Sequence, residues 1–332
     1  MSELRKDPIT GRWVIISTER KRPSDFQLEP VHMTPDPSCP FCEGHESMTP
    51  SEVMASRHNG SGPNQPGWDL RVVPNQFPVL RVEGTLDRQA EGLFDKMTGI
   101  GAHEVIIETP RHDETLATMS PEAVERVLVA FRDRVLDLKR DQRFRYIIVF
   151  KNHGAAAGAS VKHSHSQLIA LPIVPREVRD EVDGAKAHYA AKERCVFCDI
   201  VRQELSDRRR VIGENADLVV VAPYAPRFPF ETWILPKRHQ SRFEEASGQE
   251  YASLARLLGE LLRKTNRALE QPPYNLLIHS APVAEPAGEY YHWHVEVIPK
   301  LTKVAGFEWA TGFYVKPTSP EEAAQVLRDA RP

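Results

Sequence analysis

The chain has 332 residues, 41% of them hydrophobic, enough to bury the core of two ordinary domains without help from disulfides among its four cysteines. With 43 Lys and Arg against 46 Asp and Glu, a formal charge of -3, it has no bulk basic field for gripping nucleic acid, so its partners must be read from local sites. No window reaches the roughly 18 to 20 apolar residues of a membrane span, and the opening Met1-Ser-Glu-Leu-Arg lacks the apolar run of a secretory signal, so a cytoplasmic location away from membranes is expected.

From the N-terminus, the first chemical signal is Cys39-Pro-Phe-Cys42, set in a proline-rich stretch that reads as irregular structure from Pro23 to Pro50. A second irregular stretch, Asn59 to Pro66, follows. The apolar segment Glu104-Val-Ile-Ile-Glu-Thr-Pro-Arg-His112 then reads as a strand ending in histidine. Ser120-Pro-Glu opens an amphipathic helix, with serine as N-cap and proline at the first helical position; Val124, Val127, Leu128, Phe131, Val135 and Leu138 share one face. Strand candidates Phe144 to Phe150 and Lys162 to Leu171 complete this half, the second carrying His163-Ser-His165.

The order then repeats. Cys195-Val-Phe-Cys198 is followed by Glu231-Thr-Trp-Ile-Leu-Pro-Lys-Arg-His239, 127 positions beyond its counterpart (231 less 104). A second helix opens at Ser247 with Tyr251, Leu254, Leu258, Leu261 and Leu262 on one face, and strands Tyr274 to His279 and Tyr290 to Pro299 follow, the latter carrying His292-Trp-His294. This ordered recurrence implies two related α+β halves, divided as residues 1–176 and 177–332. The CxxC offset is larger, 156 (195 less 39), so the first half holds an insertion of about thirty residues, which the sequence places in the loop Asn59 to Gly67.

A lone CxxC suits a redox pair or two buried cysteines as well as a metal site. Two such motifs, each followed by histidines in the same order, favour two sets of metal ligands: Cys39, Cys42, His112 and His163, then Cys195, Cys198, His239 and His292. Two thiolates with two imidazoles form the ligand set of a closed, structural, tetrahedral zinc site, giving two zinc ions per chain. The histidines at 32, 45, 58, 103, 153 and 188 have no comparable placement and read as surface or locally bonded.

Alternation along a strand puts His163, His165 and Gln167 on one face, and Ser164 and Ser166 on the other. With His163 on zinc, His165 lies about 7 Å further along a strand anchored by metal, placed to act as a nucleophile on phosphorus, while Gln167 can donate to a non-bridging oxygen. The small-residue loop from Asn152 through Gly158 to Ser160 suits either a plain hairpin connection or a backbone cradle for phosphates, and the adjacent histidine motif favours the cradle. In the second half Val295 and Glu296 replace Ser166 and Gln167, so His292 is expected to bind metal while His294 carries no nucleotide.

The run Phe150-Lys-Asn-His-Gly-Ala-Ala-Ala-Gly-Ala-Ser-Val-Lys-His-Ser-His-Ser-Gln167 resembles the active-site signature of the galactose-1-phosphate uridylyltransferase family, within the histidine-triad superfamily. The likeness extends over nearly the whole chain, from Asp7-Pro-Ile-Thr-Gly-Arg-Trp through Lys21-Arg22-Pro23 and Pro74-Asn75 to Ala305-Gly-Phe-Glu308-Trp. It implies a duplicated histidine-triad fold, mainly antiparallel sheet with packed helices. It also implies ping-pong transfer of uridylyl from UDP-glucose to galactose 1-phosphate through His165. By position, Gln167, Asn152 and Ser160 would contact phosphate, Glu308 the hexose, and Asn75 and Arg22 the nucleoside. A homodimer is implied, with Arg22 and Glu308 serving the partner's site. His-Ser-His-Ser-Gln with two CxxC motifs is also similar to the related ADP-glucose phosphorylases, which pass adenylyl to phosphate. A histidine-triad scaffold that binds nucleotides without turnover is the reading from another class.

Overall fold

The computed structural model describes residues 2–18, 26, 30–34 and 36–331; Arg22 lies outside the described residues. Ten antiparallel strands form one sheet across both halves, and its centre is the seam between them. The first half supplies β3 (Met54–Arg57), β4 (Trp68–Pro74), β7 (Ala102–Ile107), β8 (Tyr146–His153) and β9 (His165–Leu171). The second supplies β10 (Val211–Glu214), β11 (Leu218–Val221), β12 (Thr232–Pro236), β13 (Tyr274–His279) and β14 (His294–Pro299). The spatial order β10-β11-β12-β14-β13-β8-β9-β7-β4-β3 is a repeated five-strand unit meeting its copy where β13 pairs with β8. This is the duplicated histidine-triad arrangement, an α+β fold.

The two anticipated amphipathic helices, α1 (Pro121–Leu138) and α4 (Gly248–Ala268), cover one face, here called the back. Ser120 caps α1 by accepting from the Ala123 N–H, and Ser247 with Glu250 forms a capping box on α4. Val124, Val127, Leu128 and Phe131 of α1 and Tyr251, Leu254, Leu258, Leu261 and Leu262 of α4 are all buried against Leu168, Leu276, Val295 and Val297 of the strands. Each such side chain contributes roughly 1.5–3 kcal/mol through burial.

The front face is treated differently in the two halves. Over the second half lie α2 (Arg176–Lys192) and α3 (Val196–Asp207), which the sequence pattern did not announce. The apolar stripe of α2 is narrow, only Val178, Val182 and Ala185 being buried beside Glu181. The strands β1 (Glu3–Lys6) and β2 (Trp13–Ile16) form a hairpin whose turn is drawn tight by Asp7, which accepts from the Ile9 N–H and the Thr10 hydroxyl. The Ile9 carbonyl sits where a Cβ on Gly184 would be, so α2 and this turn pack as closely as they do because residue 184 has no side chain. Downstream, α5 (Gly306–Thr311) leads to β15 (Tyr314–Lys316), which pairs parallel with β2, and α6 (Pro320–Asp329) ends the chain's described part.

The extra residues of the first half are not mainly in the loop expected to hold them. Residues 58–67 join β3 to β4 where 215–217 join β10 to β11, but the larger difference is residues 75–101 between β4 and β7 against 222–231 between β11 and β12. That longer segment carries an exposed hairpin, β5 (Arg88–Glu91) with β6 (Phe94–Met97). Its polar, turn-rich sequence lacks the alternation that marks a buried strand.

Candidate active site

The strand β9 begins at His165, not at Lys162, so His163 belongs to the turn ahead of it. From there its ring reaches the CxxC knuckle: His163 Nδ1 lies 3.7 Å from Cys39 Sγ and 3.5 Å from Cys42 Sγ, and His112 Nδ1 lies 3.4 Å from Cys42 Sγ. The second cluster matches, with His239 and His292 Nδ1 at 3.3 and 3.6 Å from Cys198 Sγ. Within each cluster the four ligand atoms all lie within 4.8 Å of one another.

These clusters fit a tetrahedral metal ion. Bonds of about 2.3 Å to sulfur and 2.0–2.1 Å to nitrogen place neighbouring ligand atoms roughly 3.5 Å apart. Three of the four outer nitrogens also fit, since His163 Nε2 donates to the Thr109 carbonyl at 2.7 Å, His292 Nε2 to that of Pro236 at 2.9 Å and His239 Nε2 to that of Gly288 at 2.7 Å, while His112 Nε2 is buried without a partner. Each bond fixes the tautomer that turns an Nδ1 lone pair to the thiolates. The donor set is that of zinc, and all four positions are taken by protein.

His165 is buried, and its Nδ1 donates to the His163 carbonyl at 2.8 Å. The proton is thereby held on Nδ1 and the lone pair on Nε2. Burial, reinforced by the nearby Lys151 ammonium, lowers the imidazole's pKa from its ordinary value, so the ring is neutral at pH 7. Phe41, between the two cysteines of the first knuckle, sets its ring 5.3 Å from that of His165, so the Cys2His2 cluster also holds one wall beside His165.

Gln167 shares the face of His165 and lines the same cleft, of about 200 Å³, with Phe41, Asn75, Val105 and Ser160. His103 orients it. The Nδ1 of His103 accepts from the Val79 N–H at 3.3 Å, so Nε2 carries the proton and donates to Gln167 Oε1 at 2.9 Å, leaving the Gln167 amide hydrogens free. Asn75 stands beside them, its Oδ1 accepting from the Phe77 N–H and its Nδ2 crowding the same His103 nitrogen at 3.1 Å, a contact between two donors. His103 was read from the sequence as surface or locally bonded; it is instead buried and positions Gln167. His153 is likewise buried, stacked on Tyr274 with ring centres 4.7 Å apart.

Asn152 is aimed by the second half: Asn275, its cross-strand partner, donates to Asn152 Oδ1 at 2.8 Å and to the Ala157 carbonyl at 2.9 Å. Gly158, at φ +93, closes the small-residue loop in the left-handed region, and a Cβ there would come within 3.5 Å of Asn152 Nδ2. Glu308 is apart from this group; it caps α5 by accepting from the Ala305 N–H at 3.1 Å.

Behind His165 lies a buried polar network. Glu108 accepts from Lys151 Nζ at 2.8 Å, Ser164 Oγ at 2.6 Å and Ser166 Oγ at 2.5 Å, and Lys151 also donates to the His165 carbonyl at 3.0 Å. Burial opposes the charge on Glu108, but Lys151 and the two hydroxyls outweigh it and hold the carboxyl below its usual range. Ser164 and Ser166 thus face the back, as alternation requires.

In the second half the place of Gln167 is taken by Glu296, which Arg227 grips through both carboxylate oxygens at 2.7 Å. The His294 ring stacks on His279 at 4.3 Å, and His279 bridges Glu181 and Glu296 at 3.1 and 3.2 Å.

A doubled histidine-triad sheet with one neutral, aimed imidazole beside a free amide defines a class of enzymes that handle nucleotides at phosphorus. Family descriptions of the galactose-1-phosphate uridyl transferase N-terminal and C-terminal domains match residues 1–175 and 181–329, and the chain belongs to this family of nucleotidyltransferases. It is 40% identical over 334 residues to the ADP-glucose phosphorylase of Arabidopsis thaliana, covering 98% of this chain and 92% of that one. To the galactose-1-phosphate uridylyltransferase of Thermotoga maritima it is 30% identical over 339 residues, covering 99% and 98%. Among solved structures, the Arabidopsis thaliana ADP-glucose phosphorylase with bound ADP-glucose superposes with a TM-score of 0.84 at 36% identity over the whole of both chains. A uridylyltransferase structure gives 0.77 at 29% identity over 99% and 98%.

No helix among the described residues is long and apolar enough to cross a membrane.

Proposed function

We propose that His165 transfers a nucleoside monophosphate between phosphorylated partners through a covalent bond at Nε2. The observation that carries this reading is the Nδ1–H bond to the His163 carbonyl, which leaves Nε2 unprotonated beside the free amide of Gln167. Nε2 attacks the α-phosphorus of a nucleotide sugar, the new P–N bond forms as the P–O bond to the sugar phosphate breaks, and the Gln167 amide donates to a non-bridging oxygen. An oxygen of the acceptor phosphate then displaces Nε2. Cys39, Cys42, His112 and His163, and Cys195, Cys198, His239 and His292, would each hold a zinc ion that stiffens its knuckle, the first set thereby fixing Phe41 and the turn before His165; four protein ligands in each set would leave the metal a structural role.

For the particular substrates, the 40% identity to an ADP-glucose phosphorylase favours adenylyl transfer from ADP-glucose to inorganic phosphate, giving ADP and glucose 1-phosphate. The 30% identity to a galactose-1-phosphate uridylyltransferase supports the second reading, uridylyl transfer from UDP-glucose to galactose 1-phosphate. In both, Asn152, Gly158 and Ser160 cradle phosphate and Asn75 faces the nucleoside. The first half is catalytic and the second a scaffold. The same reading has a cytoplasmic homodimer, with Arg22 and Glu308 serving the partner's cleft. Exposed Phe77, Val79, Leu93 and Phe94 on the inserted segment supply apolar surface for such a contact. The test is to incubate the protein with ADP-glucose or UDP-glucose labelled in the α-phosphate. Acid-labile, base-stable label is expected from ADP-glucose, chased by inorganic phosphate; label from UDP-glucose alone would select the second reading, and no label from either would defeat both.

A further inference from the structure

The repeat makes the first half's cleft a template for the second. Val73 faces Val105 across β4 and β7, and Val105 faces Gln167 across β7 and β9. In the second half Val221 faces Trp233, and Trp233 faces Glu296, in the same order. The counterpart of the nucleotide cleft therefore runs past Val221, Trp233 and Glu296 towards His294. It is not filled. The indole of Trp233, in place of Val105, stands between two cavities and lines both.

The compartment at His294 is small, about 70 Å³, and closed over by the β1–β2 turn; its acids Asp7, Glu177, Glu181, Glu231 and Glu296 outnumber its cationic groups Arg12, Arg227 and His279, each of which is already paired with one of them, so none is free for a phosphate. The other compartment, about 390 Å³ and of the size of a small ligand, is lined on its apolar part by Val196, Ile200, Val221, Pro223 and the Tyr224 ring; charged Lys6, Asp7, Asp199 and Arg210 also line it, with the Arg210 guanidinium already held by Glu204 and Glu321. Two of its wall residues carry buried polar atoms without a hydrogen-bond partner, Trp233 Nε1, a donor, and Glu204 Oε2, an acceptor. Buried polar groups left unpaired ask for a partner.

We propose that this cavity between α3, β11 and the N-terminal hairpin is a second binding site, specific for an uncharged nucleoside or free base. The apolar walls take the planar heterocycle, and its adjacent donor and acceptor groups satisfy Glu204 and Trp233. The carboxylates beyond the Trp233 ring exclude the phosphorylated forms that the His165 cleft takes. The site thus reads the dephosphorylated member of the substrate's own chemical class.

The experiment is equilibrium dialysis of the full-length, zinc-loaded protein with labelled adenosine, with and without saturating ADP. One adenosine per chain should remain bound under ADP, while ADP itself binds once. Gln203→Trp, placed at an exposed position in the cavity wall, and Ile200→Trp, which fills the slot, should each remove that adenosine at least tenfold in affinity without changing covalent labelling of His165. Complete displacement of adenosine by ADP, a second equivalent of ADP, or ADP-resistant adenosine binding unchanged in both variants would each overturn the proposal. If His165 takes no label but ADP-resistant adenosine binding persists and is lost in Gln203→Trp, the proposed reaction fails while the second site stands.

Discussion

The two halves share strand order, helix placement and a Cys2His2 cluster, yet what surrounds the second histidine of each His-x-His diverges on both sides of the sheet. Behind His165 are Glu108, Lys151, Ser164 and Ser166; behind His294, Val295 stands between Ile234 and Ile278, with Trp293 buried nearby. In front of His165 is an open cleft with a free amide; in front of His294 are α2, the N-terminal turn and a carboxylate already gripped by arginine. The comparison teaches that the fold alone is satisfied by an apolar backing. The ionic backing, costly to desolvate, is present behind His165, the proposed nucleophile, whose carbonyl Lys151 holds.

The sharpest way to break this contrast is at the histidines. His165→Ala should lower nucleotidyl transfer at least a thousandfold with metal content unchanged, whereas His294→Ala should leave the rate within about threefold. Label appearing on His294, or a tenth of the parent rate in His165→Ala, would end the one-sided assignment. At the clusters, Cys39→Ser and Cys195→Ser should each lose one zinc by elemental analysis and lower the melting temperature. Only Cys39→Ser should also cut turnover, by about 10- to 100-fold, because only that cluster positions Phe41 and the turn before His165.

The backing network offers a test in which stability and activity part. Glu108→Gln strands the Lys151 ammonium and should cost about 3–5 kcal/mol in urea unfolding. Converting the whole network to apolar residues in the manner of the second half (Glu108→Leu, Lys151→Met, Ser164→Ala and Ser166→Val together) should recover most of that stability. It should still slow transfer, since the His165 carbonyl loses its donor.

The smallest effect is a pH dependence confined to the second half. Despite burial, Glu181 and Glu296 push His279 up to about 10, and Glu181 is held down at about 2, against burial, chiefly by His279. A raised histidine contributes stability that is complete below its unfolded value near 6.5 and is lost as pH rises through about 10. A depressed carboxylate contributes stability present above about 4.5 and lost as pH falls through about 2. Together the pair supports the fold fully between about pH 4.5 and 6.5. His279→Asn, which installs the residue type of Asn152, should therefore destabilise by about 2–3 kcal/mol at pH 6 and by less at pH 10. An equal loss at both would remove the charge from the explanation.

Much of the site is legible in the residues because it is local or repeated. The two Cys2His2 clusters follow from two matched CxxC and histidine series, and the helix faces from their 3.6 period. The orientation of Gln167 by His103 is not legible, because the partners are 64 positions apart and a lone histidine on a strand carries no pattern of its own. Glu108 and Lys151 are hidden for a related reason: a single charge in an apolar strand reads as an exception until its partner is known. The helix α2 escapes because its polar sequence buries a stripe only three residues wide, and the N-terminal hairpin because its partner strand lies near the other end of the sequence.

That last feature governs when the molecule can be finished. Strand β2 finds its parallel neighbour in Tyr314 to Lys316, so some 300 residues must be synthesised between the two, roughly 15–60 s at about 5–20 residues per second. A two-stranded hairpin is at best marginal by itself. The early-made segment therefore waits for this neighbour until both halves of the central sheet have been synthesised.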